Sequence, residues 1–178
     1  MKRASDSTIG LHDGTRLIVR PVTPEDRDRL AAAYAGMSET SLYRRFMSPK
    51  RVLSGRELTY FTEVDHRSHE ALLAICPSTG AIVGEARYAV APDDPFTGDV
   101  AFAVVDEYQG RGVGSALTRR LVAAARENGI ERLTASTLAM NHPARALLVA
   151  VGFEALGTSA GAAEFELVLQ RAELAAAA

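Results

Sequence analysis

The chain has 178 residues, 47% hydrophobic and 24% charged, with a formal net charge of −2. That is a globular composition on the scale of one domain, and it excludes the strongly basic footprint of a nucleic-acid-binding domain. One cysteine, Cys76, excludes an internal disulfide and suits a reducing compartment; no run approaches the ~20 apolar residues of a membrane helix, and the opening MKRASDSTIGLHDG lacks a signal-peptide core, so a cytoplasmic protein without membrane or nucleic-acid partners is expected.

Residues 1–10 read as a loose arm, and TRLIVRPV (15–22) as a strand ended by Pro21. In TPEDRDRLAAAYAGM, Thr23 can cap a helix, Pro24 suits its first position, and Glu25 and Asp26 favour the positive end of its dipole. SETSLYRRFM and SGRELTYFTEV open on capping serines, Ser38 and Ser54, and predict two short helices. The cluster Arg44, Arg45, Lys50 and Arg51 reads as a solvated helix end or as a contact for an acidic ligand.

The pattern then changes. EALLAICP (70–77), AIVGEARYAV (81–90) and GDVAFAVVD (98–106) predict strands, the first two joined as a hairpin at Ser78-Thr79-Gly80. APDDPFTG (91–98) reads as a turn-rich link. A helix follows the glycines after residue 109 and ends at Gly129. RLTASTLA predicts a strand, NHPARALLVAV a helix capped by Asn141, and GFEALG and AEFELVLQR a last pair of strands. Residues 172–178 read as a frayed tail. No repeat or linker interrupts the chain, so residues 1–178 read as one α/β domain: helices first, an antiparallel meander, then strand–helix–strand–helix–strand. His66 and His69 are close in sequence but find no further His or Cys partner, and no metal site is expected.

The stretch DEYQGRGVGSAL places Gly110, Gly112 and Gly114 between a strand and a helix. A strand ending in such a turn aims free backbone N–H groups at one point, where the helix dipole adds about half a positive charge. That combination binds phosphate, and a Cβ would hold the phosphate away. Arg111 adds a nearby cation. The turn lacks the Lys of a P-loop. As a dinucleotide fingerprint it lacks the acidic residue expected after the next strand.

Gln109, Gly112 and Gly114 do satisfy a Gln/Arg-x-x-Gly-x-Gly/Ala pattern that resembles the acetyl-CoA pyrophosphate loop of GNAT acetyltransferases. FAVVDEYQGRGVGSALTRRLVAAARENGI and NHPARALLVAVGFE are similar to that family's cofactor-binding segments. LHDGTRLIVRPVTPEDRDRL, SLYRRFMSPKRVLSGREL and FTEVDHRSHEALLAI resemble the GNAT domain of bacterial protein-lysine acetyltransferases that act on acyl-CoA synthetases. The resemblance implies an α/β (α+β) fold with a mixed, largely antiparallel central sheet, splayed middle strands and flanking helices. It implies an enzyme that moves an acetyl group from acetyl-CoA to an amine, a protein lysine first and a small-molecule amine as the alternative. A non-catalytic acetyl-CoA sensor is a third reading, and homodimers are common in the superfamily.

The resemblance also implies roles. Backbone groups of Val104 and Val105 would pair with the pantetheine arm. The amides of Gln109, Gly110, Arg111, Gly112, Val113, Gly114 and Ser115 would hold the pyrophosphate. Asn141 either bonds the cofactor arm or caps its helix. A lysine amine, with a reference pKa near ~10.4, must lose a proton before it attacks, and a carboxylate base is the usual solution. Asp99 stands where the protein-acetylating relatives have a glutamate and ranks first; Glu85 and Glu107 are the other candidates. Many family members have a tyrosine on the helix after Asn141 to protonate the leaving thiolate, and Leu148 stands in its place.

Overall fold

The computed structural model of the chain describes residues 7–169. Its strands are β1 (Ser7–Gly10), β2 (Arg16–Pro21), β3 (His69–Ile75), β4 (Ile82–Ala91), β5 (Asp94–Val104), β6 (Arg132–Leu138), β7 (Glu154–Ser159) and β8 (Ala162–Val168). Its helices are α1 (Arg27–Ala35), α2 (Glu39–Phe46), α3 (Gly55–Thr62), α4 (Val113–Glu127) and α5 (His142–Val151). The expected element order holds, with two corrections. Residues 7–10, expected in a loose arm, form β1 and pair with β2; residues 1–6 of that arm and the tail at 172–178 lie outside the described residues. The link at 91–98 is mostly strand, because β4 and β5 turn tightly at Pro92-Asp93, with Ala91 opposite Asp94.

Local chemistry sets the helix starts. The Asp26 carboxylate accepts the Thr23 N–H at 2.9 Å and is itself fully buried against a bidentate Arg20 at 2.6 and 2.7 Å. Ser38 Oγ accepts the Ser41 N–H. Ser54 and Glu57 cap one another reciprocally, with the Ser54 N–H donating to Glu57 at 2.8 Å.

The strands form one sheet in the order β1-β2-β3-β4-β5-β6-β8-β7. All neighbours are antiparallel except β5 and β6, which run parallel. One face carries the cluster of Leu30, Tyr34, Leu42, Phe61, Ala71, Leu73 and Ala103 beneath α1–α3. The other carries Leu72, Tyr88, Val100, Leu117, Leu121, Leu133 and Phe165 beneath α4 and α5. Gly84 lets α4 lie close on β4: a Cβ there would stand 3.1 Å from Val113 and 3.3 Å from the Ala103 carbonyl oxygen.

The parallel pair is short. Thr97–Val100 pair with Arg132–Ala135, and the pairing stops there. Beyond that point each strand follows its outer neighbour, β5 along β4 as far as Val104 and β6 along β8 as far as Leu138. The two middle strands therefore splay apart and leave a wedge between them. Among the described residues no helix is long and apolar enough to cross a membrane.

Candidate functional site

The wedge widens into a cleft of about 450 Å³. Phe102 and Val104 of β5 form one wall, Ser136 and Thr137 of β6 the other, and the glycine turn with the start of α4 closes one end. The Val105 N–H donates to the Val83 carbonyl of β4 at 3.0 Å. Successive strand residues point opposite ways, so the peptide groups of Val104 and Phe102 face the gap while the Val105 amide is committed to β4.

The turn is tied down from the α2 side. Gln109 Nε2 donates to the Val104 carbonyl and to Ser41 Oγ, each at 3.0 Å. Ser41 Oγ donates to Asp106 Oδ1 at 2.7 Å, and Asp106 also accepts the Ser38 N–H at 2.8 Å. Burial would raise the Asp106 carboxyl, but the donors from Ser41 and Ser38 outweigh it and hold it low. Gln109 thus acts through its side chain, fixing the turn to the wedge.

Gly110 has φ 71° and Gly112 has φ 92°, backbone shapes that suit glycine. Gly112 is the N-cap of α4 and no side chain caps the helix, so its first amides, Val113, Gly114 and Ser115, lack intrahelical acceptors and open on the cleft. The glycines do different jobs. Gly112 supplies the left-handed turn. Gly114 lets α5 close on α4, since a Cβ there would stand 2.7 Å from Leu147 Cδ1.

Arg111 does not face the cleft. Its guanidinium pairs with Asp13, donates to Thr15 Oγ1 at 2.8 Å and lies 4.6 Å from the Tyr108 ring centroid. Arg44 and Arg45 of α2 line the cleft, and the His12 ring lies beside Gly112. The cationic cluster seen in the sequence therefore divides: Arg44 and Arg45 reach the cleft, whereas Lys50 pairs with Glu57. Asn141 is buried; its Oδ1 accepts the Ala144 N–H at 3.4 Å as a helix cap, and its Nδ2 donates to Thr137 Oγ1 at 3.1 Å. Leu148, 1% exposed, packs at the cleft floor.

The three candidate carboxylates lie in unlike places. Asp99 pairs with Thr134 in the sheet, one step before the last β5–β6 pair, at the apex of the wedge. It reaches solvent, and Thr134 Oγ1 donates to it at 3.3 Å. Partial desolvation pushes its carboxyl above the ordinary range, opposed by Thr134 and by the Arg45 charge. Glu85 is 1% exposed. Arg87 grips it at 2.6 and 3.2 Å, Tyr34 Oη donates at 2.6 Å, and Arg45 lies at 3.5 Å. Burial alone would raise the Glu85 pKa, but the charge and hydrogen bonds of Arg87, then Arg45 and Tyr34, bring it down to about 2. A carboxylate so placed is buried and held ionised by its partners. Glu107 is exposed on the turn at Asp106–Tyr108 and does not line the cleft. Among the described residues no group of three or more His, Cys, Asp or Glu could hold a metal ion; His66 meets Glu70 at 2.8 Å and His69 meets Arg87 at 3.2 Å.

Comparison with known proteins agrees with this geometry. The model of the acetyltransferase (GNAT) family matches residues 39–153. The chain is 33% identical over 147 residues to Acetyltransferase Pat of Mycolicibacterium smegmatis, covering 81% of this chain and 43% of that protein. It is 30% identical over 145 residues to Acetyltransferase PA5475 of Pseudomonas aeruginosa, covering 80% of this chain and 77% of that protein. The crystal structure of the GNAT domain of S. lividans PAT superposes with a TM-score of 0.86 at 32% identity, covering 92% of this chain and 97% of that one. The chain thus spans less than half the length of the mycobacterial Pat.

Proposed function

The chain belongs to the GNAT acetyltransferase family, and we propose that it transfers an acetyl group from acetyl-CoA to a protein lysine, with Asp99 as general base. The observation that carries the reading is the wedge itself: beyond Val100, β5 has no strand partner on the β6 side, and it leads from Asp99 to an uncapped helix N-terminus.

The parts fit an extended acyl carrier. The peptide groups of Phe102 and Val104 suit the amides of a pantetheine arm, as an added strand would. The free amides of Gly112 to Ser115 and the α4 dipole suit a pyrophosphate, with Arg44 and Arg45 as the local cations. Asn141 caps α5 and braces Thr137 at the cleft wall. Asp99, at the apex, takes a proton from the incoming amine directly or through one water; its shorter side chain favours the water. Desolvation brings its pKa upward, toward what a base needs. Leu148 donates no proton to the departing sulfur, and an ordinary thiol pKa of about 8.5 allows departure without one.

The surroundings of Asp99 favour a large acceptor. On that face α1 packs on β4, and α2 packs on β5 and reaches β6. The neighbouring row of Thr134, Glu166 and Glu154 continues across β6, β8 and β7. Glu154 and Glu164 are exposed there, and carboxylates at an open rim attract a cationic lysine. Residues 7–169 read as one acetyltransferase domain, and homodimerisation follows from the superfamily alone.

The test is transfer of radiolabelled acetyl from acetyl-CoA to an acyl-CoA synthetase and, in parallel, to a panel of small amines, with thiol release followed throughout. Label on a synthetase lysine with matching CoA release is the expected result. Label on small amines alone would replace the protein acceptor by a metabolite, and binding without thiol release would make the chain a sensor.

A further inference from the structure

The turn joining β1 to β2, residues 11–15, lies against the glycine turn and brings Asp13 to Arg111, 98 residues further along the chain. Its shape is set locally. The Leu11 N–H donates to the Thr15 carbonyl at 2.8 Å, the Gly14 N–H to the Leu11 carbonyl at 3.0 Å, and the Thr15 N–H to Asp13 Oδ1 at 3.0 Å. Gly14 takes φ 85°, a left-handed shape that suits glycine.

Contacts on both sides of His12 fix the turn in place. Before it, Leu11 is 7% exposed and joins the core beneath α4 and α5. After it, the Arg111 guanidinium pairs with Asp13 and donates to Thr15 Oγ1 at 2.8 Å. Arg120 of α4 holds β1 itself, through Ser7 Oγ and, at 3.2 Å, the Thr8 carbonyl.

His12 takes part in none of these contacts. Its ring lines the cleft, and Nε2 is the ring atom nearest Gly112, 3.4 Å from where a Cβ would stand. Gly112 caps the helix whose first amides, Val113, Gly114 and Ser115, open on the same cleft. No hydrogen bond or ion pair to another described residue occupies the ring. An imidazole carries an N–H donor in either protonation state. A donor beside the start of α4 serves the same anion that the amides and the helix dipole attract.

We propose that His12 belongs to the cofactor site: its ring N–H donates to the pyrophosphate at the start of α4, and the contacts of Arg111 with Asp13 and Thr15 position it there. The proposal rests on the reading of the cleft as the acetyl-CoA site. It also gives Arg111 a part in cofactor binding at one remove. Arg111 lies within the glycine turn but faces away from the cleft, and what it does there is hold the segment that carries His12.

The test is calorimetric titration of the chain with CoA and with dephospho-CoA, which keeps the pyrophosphate and lacks the 3′-phosphate. The variants are His12→Ala, His12→Phe, which keeps an aromatic ring without a donor, and His12→Gln, which keeps a donor. His12 is exposed, so each variant should fold, and thermal melts check this. The Ala and Phe variants should each raise Kd about 10-fold for both ligands, the worth of one hydrogen bond to a charged group. The Gln variant should recover part of the loss. Asp13→Ala should also weaken binding, yet add little in the His12→Ala background, because both changes remove the same contact. An unchanged Kd in the Ala or the Phe variant overturns the proposal. So does a loss seen with CoA alone, which would assign His12 to the 3′-phosphate, and so does full additivity with Asp13→Ala, which would separate the clasp from the ring. Absence of binding by the unmodified chain is a different failure: it removes the acetyl-CoA reading of the cleft, and this proposal with it.

Discussion

Asp99→Asn should lower kcat/KM for acetyl transfer by about 10²–10⁴-fold while acetyl-CoA binding stays unchanged. The side chain stands at the point where β5 and β6 part, on the face opposite the α4–α5 layer, so it contributes nothing to the glycine turn. Asparagine keeps the shape and can still accept from Thr134 Oγ1, which donates at 3.3 Å, so the fold should tolerate the change. What it loses is the ability to take a proton. Steady-state kinetics paired with calorimetric acetyl-CoA binding measures both halves. An unaltered rate removes Asp99 from the role, and weakened acetyl-CoA binding would place the residue in the cofactor site instead.

Glu85→Gln should fail differently, through stability. It leaves Arg87 and Arg45 buried without their carboxylate, a loss of about 3–5 kcal/mol for a broken buried pair, read as a fall in Tm of roughly 10 °C. The pH dependence gives the second check. A carboxylate with a depressed folded pKa contributes stability that is present above its unfolded pKa and fades as pH falls toward the folded value. For Glu85 that window runs from about 4.5 down to about 2. Thermal melts of the unmodified chain should lose stability through this range, and the Gln variant should show a shallower slope. Equal Tm values at pH 7 would mean the cluster is not a stabilising pair.

These two residues also show what was legible in the sequence. The glycine turn was readable because few arrangements place Gly110, Gly112 and Gly114 between a strand and a helix, and α4 does start at Val113 with Gly112 as its cap. Asp99 was expected at the start of its strand and was singled out by the resemblance; it lies instead within β5, which begins at Asp94. Glu85 was harder. In IVGEARY the apolar residues conceal that Glu85 and Arg87, two apart on a strand, share one face, and β4 is buried on both faces over Ile82–Tyr88. The i, i+2 pairing of opposite charges in an apolar strand was the available sign of an internal ion pair.

The cations were misplaced for a related reason. Arg111 sits inside the turn, yet the left-handed step at Gly112 and the contact with Asp13 send it toward the β1–β2 connection. Asp13 lies 98 residues away in the chain, and no local pattern could announce it. Arg45 looked like a helix-end charge, since its partner Glu85 is brought to it by packing of α2 on the sheet. The strand at 94–96 was hidden by Pro95 and the aspartates, which signal turns but here occupy an exposed strand end.

The central proposal is that the splayed β5–β6 wedge and the uncapped start of α4 together receive acetyl-CoA. Amide-resolved NMR of the nitrogen-15-labelled chain, titrated with acetyl-CoA, tests it most directly. The prediction is saturable shifts concentrated at Phe102, Val104 and Gly112 through Ser115, with the Val105 amide, already bonded to Val83, moving least among its neighbours. No shifts at millimolar acetyl-CoA, or shifts confined to residues away from this cleft, would contradict it.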